Sequence, residues 1–144
     1  MTRQIFVNLP VKDLNKSVEF FTKLDFTFNP QFTNEDATCM IVDKNIFVML
    51  LVEKYFQTFT PKEICDASKS TEVLVSLSFE SRAEVDAMVA KAIAKRCLEQ
   101  VAAGGTTYKE PMDMGFMYQH GFQDLDGHLW EIFFMDESEV KQAT

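Results

Sequence analysis

Residues 122–134, FQDLDGHLWEIFF, set a single carboxylate in the middle of an apolar run. Read as a strand, alternation places Leu129, Glu131 and Phe133 on one face and His128, Trp130, Ile132 and Phe134 on the other. A segment apolar on both sides belongs to a sheet covered on both sides. An unpaired ionised carboxylate there costs several kcal/mol. Glu131 therefore requires a metal, a hydrogen-bond partner or a proton.

The same alternation recurs along the chain. QIFVNLP at 4–10 reads as a strand, and Asp13 can cap a helix whose Leu14, Val18, Phe21 and Leu24 recur at three- and four-residue spacing. Short strands follow at 26–29, 38–42 and 46–52, with DKN at 43–45 as a turn. Thr60, Pro61 and Glu63 make a capping box that opens a short helix, PKEICDA, in a linking segment. The order then restarts. VLVSLSF at 73–79 is a strand, Ser81 and Glu84 open a longer helix that Gly104-Gly105 stops, and strands follow near 106–109, at 116–122 and at 128–134. The expected fold is α+β, two βαβββ modules in one domain. Module one covers about 3–53, the linker 54–71, module two 72–136 and a C-terminal tail 137–144.

With 144 residues, 47% of them hydrophobic, the chain can bury a proper core. A net charge of −8 argues against nucleic-acid and anionic-membrane partners, which would repel it. The one basic cluster, Lys91, Lys95 and Arg96, lies on a predicted helix beside Glu99 and reads as a solvated face. No apolar run approaches a membrane span and the start lacks a signal-peptide core, so a cytoplasmic location is expected. Cys39, Cys65 and Cys97 are widely spaced and lack a C-x-x-C pattern, so they read as reduced thiols.

The opening NLPVKDLNKSVEFFTKLDF resembles the first strand and helix of the vicinal oxygen chelate superfamily, often written V-x-D-L-x-x-S-x-x-F-Y with an LGF-like turn after it. That superfamily includes glyoxalase I, bleomycin-resistance proteins and extradiol dioxygenases. The closing FQDLDGHLWEIFF resembles its DPDG-x-x-x-E hairpin, and the chain as a whole resembles a lactoylglutathione-lyase-like subgroup. The resemblance implies a strongly curved mixed sheet around a cavity for metal and substrate, and a homodimer. It also implies metal ligands on the first and last strands of each module. Glu131 falls on the final-strand glutamate position. The remaining ligand positions fall on Phe6, Met49 and Leu74, which are apolar.

One carboxylate does not make a divalent site. No cofactor is expected, and a divalent metal completed by water or by a dimer partner is the lesser alternative. The chain's two histidines, His120 and His128, do not support an extradiol arrangement, and the place of His128 beside the turn suggests a surface position. If DLDG closes a tight hairpin with Leu125 facing His128, Glu131 lies across from Phe122 and Phe133 across from His120. His120 and Tyr118 then share the Glu131 face; a bulge reverses the assignment.

Glu131 and His120 are the candidate catalytic pair, the carboxylate orienting an imidazole beside a bound carbonyl; the alternative is that Glu131, His120 and Tyr118 are only a satisfied polar network in the cavity wall. Phe6, Asn8, Met49, Leu74, Tyr118 and Phe133 are the candidate ligand-binding residues. Met112, Met114 and Met117 read as core, with 112–115 and 120–122 as rim segments of a cavity. The leading functional expectation is a protein that binds a small apolar or carbonyl-containing molecule and has a degenerate metal site. The alternative is a glyoxalase-like lyase or isomerase using Glu131 with His120 or an incomplete metal site.

Overall fold

The computed structural model describes residues 2–93 and 104–140. The chain divides into two compact units, Met1–Asp66 and Ala67–Thr144. In unit 1 the order is β1 (Ile5–Val11), α1 (Leu14–Lys23), β2 (Thr27–Asn29), β3 (Ala37–Asp43), β4 (Ile46–Val52) and the short α2 (Glu53–Phe56). In unit 2 it is β5 (Leu74–Ser78), α3 (Arg82–Ile93), β6 (Met112–Asp113), β7 (Met117–Gln123), β8 (Leu129–Met135) and the short α4 (Glu137–Val140). Each unit carries a four-stranded mixed sheet, ordered β1-β4-β3-β2 and β5-β8-β7-β6. In both, the first and last strands pair in parallel and the others antiparallel. The βαβββ order read from the sequence is present twice.

Helix α1 starts where Asp13 accepts a hydrogen bond from Lys16 N at 3.1 Å. It ends in a Schellman motif: Phe26 N donates to Phe21 O, Asp25 N donates to Thr22 O, and the rings of Phe21 and Phe26 meet edge to face at 6.0 Å. The left-handed residue of this motif is Asp25, with φ of 70°. The buried α1 residues Leu14, Ser17, Phe20 and Phe21 include the face that packs on β3 and β4, against Met40, Val48 and Leu50. Phe6, Asn8, Met49 and Leu51 lie on the other side of this sheet by alternation and register.

In unit 2, Ser81 caps α3 by accepting from Glu84 N, while Glu84 reaches back to accept from Glu80 N. Val85, Met88, Val89 and Ala92 of α3 are buried, and the helix packs on β7 and β8, whose Phe122, Trp130 and Ile132 are fully buried. Lys95, Arg96 and Cys97, of which the first two read from the sequence as a solvated helix face, lie outside the described residues.

Three local expectations are corrected. PKEICDA is not helical; the turns of helix come earlier, over Glu53–Phe59. Gln57 Nε2 donates to the carbonyls of Thr60 and Lys62, which holds that stretch open, and Pro61 keeps Thr60 extended. The segment 106–109 contributes one bridge, Thr106 to Gln123, and the strand paired outside β7 is β6 instead. Met112 and Met114 are exposed rather than core.

Candidate functional site

Unit 1 holds a cavity of about 300 Å³ on the side of its sheet away from α1. Asn8, Met49, Leu51 and Ala37 form its floor, adjacent because Asn8 pairs with Met49 and Ala37 with Leu51. One wall is residues 31–34 and the other is Tyr55 and Phe59. No lining residue is charged. Asn34 and Thr33 spend their side-chain oxygens on the wall itself, Asn34 accepting from Asp36 N and Ala37 N, and Thr33 bonding Asn29 O and the Thr38 hydroxyl. Among the described residues, no hydrogen bond engages the side-chain amides of Asn8 and Gln31. Phe32 and Phe59 are 59% and 62% exposed, and Phe59 meets Tyr55 edge to face at 5.1 Å. Phe6 lies on the same side of the sheet, stacked on its register partner Phe47 at 4.8 Å.

In unit 2 the register decides what Glu131 can meet. Glu131 pairs with Gly121 across β7 and with Ser76 across β5. The turn is longer than the tight hairpin expected: Gly127 N donates to Asp124 O and Asp124 N to His128 O, with Gly127 at φ of 90°. This is a three-residue loop with a glycine bulge. The extra residue moves β7 by one place, so His120 pairs with Ile132 and Tyr118 with Phe134. Both therefore lie on the face opposite Glu131. His120 Nδ1 is buried without a hydrogen-bond partner. Tyr118 donates to Asp86 of α3 at 2.6 Å, and that bond pushes its pKa up to about 12.

The actual neighbours of Glu131 are Ser76, Lys109 and Tyr108. Ser76 Oγ donates to Oε2 at 2.9 Å and Lys109 Nζ lies 3.7 Å from Oε1. The side chain of Glu131 is one-fifth exposed. Ser76 was available to sequence reasoning, since parallel pairing of first and last strands sets it beside Glu131; Lys109, on an irregular segment, carried no such signal. Gly121 has no Cβ, and the ring and hydroxyl of Tyr108 fill that space. Burial, and then the Glu131 charge, push the Tyr108 phenol up. Phe133 shares the Glu131 face, and Leu74 sits exposed at the start of β5, two residues before Ser76.

These residues do not fit the metal that the resemblance implies. Both Glu131 oxygens face donors of this chain, and Phe6, Met49 and Leu74 bring no nitrogen or oxygen donor. With Lys109 in place, a divalent ion on Glu131 Oε1 would lie within about 6 Å of the ammonium, a repulsion of roughly 6 kcal/mol at an effective dielectric of 20.

Among the described residues, Asp124, Asp126 and His128 also lie close enough to share an ion. The Asp124 carboxylate and one His128 ring nitrogen already have partners within the chain. Asp124 accepts from Asp126 N, His128 N and Trp130 Nε1, each at 3.0 Å, and His128 Nδ1 is bonded to Glu72. His128 is thus buried at the turn, not on the surface. Burial pushes the Asp124 carboxyl up, against the pull of His128 and Trp130.

Residues 3–43 match the family model described as bleomycin resistance protein-like N-terminal. A search of curated proteins finds no match. Among solved structures, a hypothetical protein from S. aureus aligns over 93% of this chain and 95% of its own, with 29% identity and a TM-score of 0.74. A glyoxalase/bleomycin resistance protein/dioxygenase family enzyme from Burkholderia phytofirmans PsJN covers 93% and 99%, at 16% identity and a TM-score of 0.75. The chain shares the fold of this solved structure, the fold that the sequence resemblance implied. A glyoxalase-related enzyme from Fulvimarina pelagi aligns at 18% identity and a TM-score of 0.72 over 93% of this chain and 88% of its own. Within the described residues, no helix is long and apolar enough to cross a membrane.

Proposed function

We propose that this protein binds a small, uncharged, partly aromatic or carbonyl-containing molecule in the unit 1 cavity, and that its superfamily metal site is degenerate. The observation that carries this reading is the cavity of about 300 Å³, which is uncharged throughout and rimmed by the exposed rings of Phe32 and Phe59. Burying one such ring is worth about 1.5–3 kcal/mol, so a flat ligand covering both gains affinity without any ion. Asn8 and Gln31 supply donors and acceptors that can orient a carbonyl. Met49 adapts to its shape. The net charge of −8 works against an anionic ligand.

The test uses the neutral fluorophore N-phenyl-1-naphthylamine. Saturable binding is expected, weakened at least tenfold by Phe59→Ala and several-fold by Asn8→Ala. Binding that ignores both substitutions would reject the unit 1 cavity.

The lyase or isomerase reading keeps Glu131 and replaces His120, which lies on the other face, with Lys109 and Ser76 as its polar neighbours. A homodimer in the cytoplasm and membership of the lactoylglutathione-lyase-like subgroup accompany either reading as proposals.

A further inference from the structure

Glu131 sits where the superfamily resemblance expects a metal, yet its surroundings already contain a cation. The bridge between Thr106 and Gln123 ties the segment 106–109 to the end of β7, and Thr107 Oγ1 donates toward Gly121 O at 3.2 Å and Lys109 O at 3.0 Å. The glycine at 121 leaves room for the Tyr108 phenol against the strand, directly beside Glu131 in the pairing. Lys109 then projects over the Tyr108 ring, its Nζ 5.8 Å from the centroid and 3.7 Å from Glu131 Oε1. Ser76 occupies the other carboxylate oxygen at 2.9 Å.

We infer that Lys109 supplies the positive charge that a metal would otherwise supply at Glu131, so that this face of β8 is a built-in ammonium–carboxylate–hydroxyl site. An ammonium brings three N–H donors and no open coordination position. A small molecule reaching this face meets the remaining N–H donors of Lys109 and acceptor lone pairs on Ser76 and Glu131. That set suits an uncharged carbonyl or hydroxyl compound rather than a metal-chelating one. Tyr108 is a positioning residue: its ring fills the Gly121 gap beneath Lys109. The inference rests on residues other than those of the unit 1 cavity, so the failure of one leaves the other standing.

The experiment is a double-mutant cycle on the full chain, with Lys109→Met, Glu131→Gln and the pair, each unfolded in urea and followed by the fluorescence of Trp130. The unfolding constant should show coupling of about three- to fivefold between the two positions, and Lys109→Arg should retain most of it. In parallel, the backbone amide resonances of Ser76, Gly121 and Glu131 are followed during titration with nickel, zinc and manganese. They should stay in place in the wild-type protein. Additive single effects, or stoichiometric movement of these amides on adding any of the metals, would overturn the inference.

Discussion

Gly127→Ala tests the bulged turn that assigns every side chain of β7 and β8 to its face. Gly127 has φ of 90°, which costs a residue with a Cβ about 1–2 kcal/mol. The Cβ would also lie 2.8 Å from Ala67 O and 2.9 Å from Ser68 N, both backbone atoms that cannot rotate away. Forcing such contacts apart costs roughly 1–3 kcal/mol. The smaller entropy of the unfolded alanine chain returns about 0.4–1 kcal/mol. The net expectation is a loss of about 1–4.5 kcal/mol, centred near 3. The assay is urea unfolding read by Trp130, the one tryptophan of the sequence, which is buried, parallel to Phe122 at a ring separation of 6.2 Å and bonded through Nε1 to Asp124 in this same turn. A variant within about 0.5 kcal/mol of wild type would mean that the turn tolerates a Cβ, and the bulge argument for the register would fail.

Two further outcomes follow from the geometry. In alkaline absorbance titration one of the three tyrosines should ionise near pH 12, and Asp86→Asn should lower that value. Because the folded pKa of Tyr118 lies above its ordinary 10, its contribution to stability is whole below pH 10 and is lost as pH rises toward about 12; Tyr118→Phe should remove that slope. Asp25→Gly should stabilise the chain by up to about 1 kcal/mol in thermal unfolding, since glycine suits the left-handed end of α1 better than aspartate does; a lower melting temperature would refute this.

Much of the fold was legible because its signals are local. Asp13 and Ser81 announce their helices by offering an oxygen to an amide three residues on. The seven residues of β4 alternate between faces within one short run. The linker was misread for a local reason as well: the Thr60–Glu63 pattern is a genuine cap signal, but Gln57 takes the carbonyls that a helix there would need. The side of the first sheet that carries Asn8 and Met49 follows from alternation once the register is fixed, whereas the walls of the cavity, Phe32 and Phe59, come from irregular segments that carry no periodicity.

The chain's own order of residues determined two βαβββ modules, their caps, and the need of Glu131 for a partner, since periodicity and capping act within a few residues. Tertiary structure alone decided who that partner is. One bulged residue in the DLDG turn sends His120 and Tyr118 to the helix side, and chain segments distant in sequence bring Ser76 and Lys109 to the carboxylate. A strand changes face with every residue, so a shift of one place, invisible to composition and pattern, is enough to exchange one set of neighbours for another.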